Sequence, residues 1–372
     1  MSCWKLLLLV AMKYVDEYRD QALVRSLASR MAKQIDRPLR FMEVCGTHTM
    51  NIFRFGLRSL FPTSLQVVSG PGCPVCVTAA ADIDACIAAA ECQNVITATF
   101  GDLVRVPGSR GSLAESRARG ARVEIIYSPI DALELARENP DKLVVFLGIG
   151  FETTVPTVAA AIAQAATLKL ENFCVLSLHK VMPPIFARLL DGEHQLDGLL
   201  CPGHVATIVG RKAFEPVAAD YNLPCVISGF EPVDIMQALV QLTQLVVRQE
   251  AKVVNAYPRA VAEHGNISAW QVVNKVFQPV DADWRGMGTV KNSGLAIRDA
   301  YAHFDASQRL DLEVETFHLP PSGCRCGDVI CGRCQPLDCA HFGDSCTPQN
   351  PLGPCMVSSE GSCAAYYRYG EH

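Results

Sequence analysis

Apolar residues recur along this chain in two patterns that predict different secondary structures. Between residues 14 and 35 they lie at helical spacing with charged residues between them, which predicts an N-terminal amphipathic helix. After Arg37 and Pro38 the chain changes to short apolar runs, each followed by a Gly- or Pro-rich turn and a helical stretch. The runs predicted to be strands are 39–44, 65–68, 95–98, 123–127, 143–147, 173–178, 198–201 and 225–228. Strands that alternate with helices form parallel sheets covered on both faces, so the predicted fold class is α/β.

Three features of this region occur twice. The helix starts at 128–133 and 231–236 share a Pro-x-Asp pattern, the glycine turns at 100–102 and 202–204 are alike, and so are the strand ends at 43–47 and 150–154. This self-similarity predicts two similar parallel-sheet α/β domains related by duplication. Convergence is the alternative, because Pro-x-Asp helix starts are common.

The same patterns predict the domain boundaries. Domain I covers 38–140, domain II covers 141–233, and a smaller helical and cysteine-rich domain III covers 234–372. The N-terminal helix, within 12–37, is predicted to pack with domain III. Residues 1–11 contain an apolar run that is too short for a bilayer span and short for a signal-peptide core. We interpret them as an extension or a misassigned start, with Met12 as an alternative initiator, and we predict no membrane segment.

Composition and charge narrow the possible functions. The net charge of -5 lacks the basic surplus that binds nucleic acid or anionic lipid, so neither is predicted as a partner. The chain has 17 cysteines, an odd number, and they are concentrated in the tail from Cys324 onward. A secreted disulfide framework is normally short and cross-linked throughout. The pattern therefore indicates a cytoplasmic protein with a metal or iron–sulfur site.

Chemically unusual residues follow several of the predicted strands. In open parallel sheets, ligands bind beyond the carboxyl ends of the strands. Two facing domains would bring these segments into one cleft. The segments are 45–48 (Cys-Gly-Thr-His), 70–76 (Gly-Pro-Gly-Cys-Pro-Val-Cys), 148–154 (Gly-Ile-Gly-Phe-Glu-Thr-Thr) and 201–204 (Cys-Pro-Gly-His).

Candidate roles follow from the residue types. Cys45 lies near a predicted helix N-terminus, which favours a thiolate as nucleophile or soft metal ligand, although a small buried residue beside a glycine is the alternative. His48 is a second ligand, a proton donor or simply a helix-start residue. Cys73 and Cys76 form a Cys-x-x-Cys pair at a strand-to-helix turn, which is typical of a dithiol/disulfide centre; half of a structural zinc site is the alternative.

Two further candidates come from the loops. Glu152 is not readily explained by helix capping, and His204, beside Pro202 and Gly203, is a ligand or proton relay if it is not simply a satisfied loop histidine. Position 153 is Thr where the dinucleotide fingerprint needs its third glycine, and no P-loop motif is present. Classical nucleotide binding is therefore not predicted.

The tail cysteines favour an iron–sulfur site. Four thiolates hold a [4Fe–4S] cluster, and loops of a folded domain can supply them at wide spacing. A zinc site built from Cys331, Cys334, Cys339 and Cys346 is the alternative. The tail cysteines are Cys324, Cys326, Cys331, Cys334, Cys339, Cys346, Cys355 and Cys363.

Several of these stretches together resemble the HypD family of hydrogenase maturation factors. The match runs from about residue 12 to the end of the chain. The stretches that carry it are 14–19, 43–48, 70–76, 150–154, 202–205, 229–232, 284–286 and 356–361 with Cys363.

The resemblance implies a function and a set of partners. It implies two similar α/β domains facing a cleft, a third domain with a [4Fe–4S] cluster, and a scaffold on which the Fe(CN)2CO unit of [NiFe]-hydrogenases is bound transiently during assembly. Cys45 would hold the iron, a HypC-type small chaperone would supply a further thiolate, and a HypE-type partner would deliver cyanide. Cys73 and Cys76 would be a redox dithiol that exchanges electrons with the cluster.

The family pattern also implies the cluster ligands. It is best met by Cys326, Cys339, Cys346 and Cys363. Cys324 and Cys334 compete for the first ligand position, whereas Cys331 and Cys355 look dispensable. His48, His204 and Glu152 would donate protons or hydrogen bonds to cyanide nitrogens.

Two other functions remain open at this point. In one, the chain is a stand-alone iron–sulfur thiol–disulfide oxidoreductase in which Cys45 is incidental. In the other, it is a zinc-stabilised interaction protein. The function that the resemblance implies is that of a redox-active assembly scaffold rather than a conventional turnover enzyme.

Overall fold

The structure is a computed structural model that describes residues 15–191, 195–312 and 323–370. The extension predicted at 1–11, with Met12, lies outside these residues. All the predicted strands are present with ends close to those expected, and the chain is an α/β protein. The strands are β1 (Leu39–Glu43), β2 (Leu65–Ser69), β3 (Val95–Thr99), β4 (Arg122–Ile125), β5 (Leu143–Gly148), β6 (Phe173–Ser177), β7 (Gly198–Pro202), β8 (Cys225–Ser228), β9 (Val253–Asn255), β10 (Phe277–Trp284) and β11 (Gly288–Ile297).

Helices connect and cover these strands. Two of the predicted helix starts, at Pro129 and Pro232, are confirmed, and each helix begins with a capping box. Among the described residues, no helix is long and apolar enough to cross a bilayer. The helices are α1 (Gln21–Gln34), α2 (Gly46–Arg54), α3 (Pro74–Val77), α4 (Ala80–Glu91), α5 (Leu113–Ala118), α6 (Pro129–Glu138), α7 (Val155–Leu168), α8 (Pro183–Leu190), α9 (Gly203–Val209), α10 (Glu215–Asp220), α11 (Pro232–Val247), α12 (Ile267–Val276), α13 (Ala306–Arg309), α14 (Cys326–Ile330), α15 (Pro354–Val357) and α16 (Ser362–Tyr369).

The strands form two parallel sheets and one antiparallel hairpin. The first sheet has the order β2-β1-β7-β8-β9 and the second has the order β4-β3-β5-β6. Strands β10 and β11 form the hairpin, and single bridges join Trp284 of β10 to Thr78 and Gly294 of β11 to Lys180. Two parallel sheets with helices packed on them agree with two α/β domains.

The sheets do not follow the predicted boundaries at 38–140 and 141–233. Strand β1 pairs with β7, with Glu43 opposite Leu200, so the first sheet combines an early and a late part of the chain. The second sheet is the continuous segment between them, from β3 to β6. The predicted domains grouped strands that are consecutive along the chain into the same sheet. Both β1 and β7 are short buried apolar strands, and such patterns do not encode which strands pair.

The segment 234–372 is likewise not one unit. Helix α11 packs on the first sheet together with α1, in a core that includes Met31, Phe41 and Leu239. The hairpin contributes Phe277 and Leu295 to the core of the second sheet. The cysteine-rich tail packs against the first sheet through α14. The N-terminal helix α1 shares this core with α11, so it packs on the first sheet together with a helix of the segment that was predicted as domain III.

Candidate functional site

Most of the predicted site residues lie at the carboxyl ends of strands in the first sheet. Cys45 is the N-cap of α2, directly after β1, and His48 lies in the first turn of that helix. Cys73 is the N-cap of α3, after β2. His204 is in the first turn of α9, after β7. Since β2, β1 and β7 are neighbours, one edge of a single sheet presents these residues.

Two glycines allow the Cys45 and Cys73 turns to touch. The Gly46 N–H donates to the Gly72 carbonyl at 3.0 Å. A Cβ atom on Gly72 would lie 2.3 Å from the Cys45 nitrogen, and one on Gly46 would lie 3.3 Å from Cys73 Cβ. A larger residue at position 72 would thus collide with backbone, and the two cysteine turns would separate.

Burial determines the state of the Cys45 thiol. It raises the pKa of Cys45 to about 12, and the nearby carboxyls of Glu360 and Glu43 act in the same direction. The backbone of Thr47 and His48 at the start of α2 lowers it, but by less. Desolvation of Cys45 thus outweighs the helix N-terminus, which by itself would favour the thiolate. A metal that binds this sulfur must displace its proton.

Glu43 is a site residue that the sequence analysis missed. Its side chain is 2% exposed and lies beneath Cys45, whose N–H donates to Glu43 Oε2 at 3.1 Å. The Thr49 hydroxyl donates to the other carboxyl oxygen. Burial raises the pKa of Glu43 to about 8, although these hydrogen bonds lower it. A carboxylate directly after the apolar pair Phe41-Met42, at the end of the strand, was the available sequence signal.

Glu360, in the tail, approaches Cys45 from the other side. Its Oε1 accepts a hydrogen bond from the Thr47 hydroxyl at 2.5 Å. A Cβ on Gly46 would lie 2.5 Å from Glu360 Cβ, so the tail contacts the start of α2 directly. Burial raises the pKa of this carboxyl as well. The Ser358 hydroxyl donates to Asp102 at 3.3 Å, which links the same tail segment to the second sheet.

His48 and His204 stack on opposite sides of one aromatic ring. The Phe230 ring centroid is 4.7 Å from that of His48 and 3.8 Å from that of His204. His48 Nε2 lies 2.9 Å from the Gly229 carbonyl, which only accepts, so Nε2 carries the proton. Nδ1 then holds a lone pair and is buried without a partner among the described residues. Burial lowers the pKa of His48 to about 4, which keeps the ring neutral.

Glu152 bonds to a different part of the chain. It follows β5 of the second sheet, and its Oε1 accepts from the Met182 N–H at 2.8 Å. Its Oε2 is buried with no partner among the described residues, and burial raises its pKa to about 7. No hydrogen bond in the described part of the chain joins it to Cys45, His48 or His204.

Cys73 and Cys76 form a disulfide in this structure. The Cys76 N–H donates to Cys73 Sγ at 3.2 Å, and both cysteines are buried. Cys76 Sγ lies 4.0 Å from the carbonyl oxygen of Pro354, the residue that precedes Cys355. The disulfide therefore lies between Cys45 and the cysteine-rich tail.

Six tail cysteines line one small cavity, which we call the cysteine pocket. Cys355 is among them although the sequence pattern treated it as dispensable, whereas Cys331 and Cys334 are not. No group of three or more His, Cys, Asp or Glu in the described residues is arranged around a single ion. Thiolates of an iron–sulfur cluster bind different irons and are spaced more widely than that. The six are Cys324, Cys326, Cys339, Cys346, Cys355 and Cys363.

The donor set of the cysteine pocket fits a cluster. Backbone N–H groups of Leu352 and Cys363 point at the sulfurs of Cys346 and Cys355, at 3.4 and 3.3 Å. Hydrogen bonds of this kind stabilise cluster sulfurs. A Cβ on Gly353 would lie 3.0 Å from Cys324 Sγ, so glycine keeps that side of the pocket open.

Known proteins match almost the whole chain. The family model HypD, described as "Hydrogenase formation hypA family", matches residues 21–370. The Hydrogenase maturation factor HypD of Azotobacter vinelandii is 46% identical over 369 residues, 96% of this chain and 97% of that protein. The HypD proteins of Escherichia coli K12 and Cupriavidus necator are 44% and 42% identical over 367 and 372 residues. Both alignments include 96% of this chain, with 98% and 97% of the respective relatives.

Proposed function

The chain belongs to the HypD family of hydrogenase maturation factors, and from this membership we propose that it is a scaffold on which the Fe(CN)2CO unit of a [NiFe]-hydrogenase is assembled. Relatives that carry the name hydrogenase maturation factor support the general role. The finer assignment is supported by the arrangement around Cys45. That arrangement combines a buried thiol, one buried and one half-buried carboxyl, and an adjacent disulfide.

Cys45 holds the incoming iron in this proposal. Low-spin iron that carries cyanide and carbonyl prefers soft thiolate ligands. Binding releases the thiol proton, and the nearby carboxyls of Glu43 and Glu360 are groups that can exchange one. A HypC-type chaperone supplies a second thiolate, and a HypE-type partner delivers the cyanide.

The two histidines have different parts in this scheme. His48 already donates its Nε2–H to Gly229, so its free atom is the Nδ1 lone pair, which accepts a hydrogen bond or binds metal. His204, which is exposed on the other face of Phe230, is then the hydrogen-bond donor to a cyanide nitrogen. The contacts of Glu152 do not support a place for it in this group.

The sulfur groups beside Cys45 supply the redox function in this proposal. Reduction of the Cys73–Cys76 disulfide consumes two electrons and two protons and yields two thiols. Cys326, Cys339, Cys346 and Cys363 would hold a [4Fe–4S] cluster, with Cys324 and Cys355 in the same pocket. When bound, such a cluster supplies electrons one at a time.

The observation that carries the proposal is the contact between the Cys45 and Cys73 turns, so the test replaces Cys45. We expect the anaerobically purified complex with the small chaperone to show infrared bands of bound cyanide and carbonyl. Cys45→Ala abolishes them, whereas Cys174→Ala, a buried free thiol in the second sheet, retains them. Undiminished bands in Cys45→Ala would contradict the scaffold.

A stand-alone thiol–disulfide oxidoreductase is the second candidate, favoured by the 4.0 Å approach of Cys76 Sγ to Pro354 beside the cysteine pocket. It predicts disulfide-reducing turnover that Cys73→Ser abolishes and Cys45→Ala leaves unchanged. The scaffold predicts loss of the iron-bound ligands in both variants. Zinc without sulfide in the purified protein would instead favour an interaction protein.

A further inference from the structure

The Trp284-Arg285-Gly286 segment forms the turn between β10 and β11 and reaches away from the second sheet. Gly286 has a φ of 76°, and a Cβ there would lie 2.7 Å from the Cα and oxygen of Gly327. Gly327 follows Cys326, the first residue of α14. Only glycine permits this approach, so the turn is held against the backbone of a pocket cysteine.

Arg285 binds the helix that carries the disulfide. Its N–H donates to the Val77 carbonyl at 2.8 Å, and its Nε–H donates to the Thr78 carbonyl at 3.0 Å. Val77 is the last residue of α3, which contains Cys76. These bonds satisfy carbonyls at the end of that short helix.

One arm of the same guanidinium has no acceptor. Arg285 Nη2 is buried without a hydrogen-bond partner among the described residues. The next residue, Gly286, packs on Gly327, the neighbour of Cys326 in the cysteine pocket, so Arg285 lies beside the backbone of a pocket cysteine. A buried cationic N–H without a partner is costly unless an anionic acceptor occupies the site.

We propose that Arg285 is a positioning residue whose Nη2–H donates to a sulfur of the metal centre held in the cysteine pocket, while its Nε fixes the disulfide helix beside it. The inference rests on the proposed function, because it requires a cluster in the pocket. A positive charge and a hydrogen bond at a cluster sulfur favour the reduced, more negative state. Arg285 therefore sets the reduction potential of the centre, and it also fixes the position of Cys76 relative to the centre.

The test compares anaerobically purified full-length variants. Arg285→Gln removes the charge, Arg285→Lys keeps it, and Arg333→Gln is the matched control. Arg333 Nη1 also donates to the Gly286 carbonyl, at 3.4 Å, but its side chain is 55% exposed. None of its nitrogens is buried without a hydrogen-bond partner among the described residues. Iron and sulfide content and an EPR-monitored redox titration are measured for each.

We expect Arg285→Gln to keep iron and sulfide near the wild-type content but to lower the reduced-to-oxidised ratio at least tenfold, about 59 mV for one electron. Arg285→Lys restores part of this shift, and Arg333→Gln leaves the potential unchanged. If Arg285→Gln fails to retain the cluster, the redox titration of Arg285→Lys tests the inference instead. Lysine keeps the positive charge but lacks the planar guanidinium with its several N–H donors, so a potential shifted from that of wild type is still expected.

Two results would overturn the inference, and they differ. A wild-type cluster whose potential is the same in both Arg285 variants refutes the role of Arg285 alone. A wild-type protein without iron and sulfide refutes the cluster itself, and with it the redox part of the proposed function.

Discussion

Glu43→Gln tests whether burial keeps a neutral carboxyl beneath Cys45. Burial raises the pKa of Glu43 from 4.5 to about 8, so the folded protein retains a proton that the unfolded chain releases as the pH rises through that interval. The free energy of unfolding must then fall with pH from about 4.5 to about 8. At 1.36 kcal/mol per pKa unit, the loss between pH 5 and 8.5 is about 4 kcal/mol. Glutamine does not titrate, so the variant lacks this loss.

The assay is urea unfolding of wild type and Glu43→Gln at pH 5 and pH 8.5. At pH 5 we expect the variant to be less stable by about 1 kcal/mol, because the amide satisfies fewer of the donors around position 43. At pH 8.5 we expect it to be more stable than wild type by about 3 kcal/mol. Glu134→Gln, on the exposed face of α6, controls for a change of surface charge. A stability difference that is the same at both pH values would refute the reasoning.

Two further predictions concern packing and charge. Gly353→Ala places a Cβ 3.0 Å from Cys324 Sγ, so the iron bound per chain should fall to roughly half or less. Gly101→Ala is the control, because the atom nearest to its new Cβ is 3.6 Å away, and it should leave the iron content unchanged. Lys180→Met removes the 3.0 Å ion pair to Asp82, which is 24% exposed, and should lower the free energy of unfolding by about 1–3 kcal/mol. Adding Asp82→Asn should recover most of that loss in urea titrations, and strict additivity would contradict the coupling.

The sequence predicted secondary structure better than tertiary arrangement. Short apolar runs located the strands, and Pro-x-Asp signals located the starts of α6 and α11, because these features depend on nearby residues. The hairpin of β10 and β11 was missed, since most residues of β10 are half-buried or exposed and β11 mixes exposed and buried positions without a regular period. The prediction also did not anticipate that Glu152 would bond to the Met182 N–H.

The amino-acid pattern was sufficient for the α/β class, the strand positions and the motif residues that mark the family. The folded arrangement was needed to show that β1 pairs with β7, that Glu43 and Glu360 lie near Cys45, and that Arg285 lies between the disulfide helix and the cysteine pocket. The difference lies in the distance along the chain over which each feature is set. Periodicity records which face of an element is buried, whereas strand pairing, desolvation and the pKa of a buried group depend on atoms contributed by distant parts of the chain.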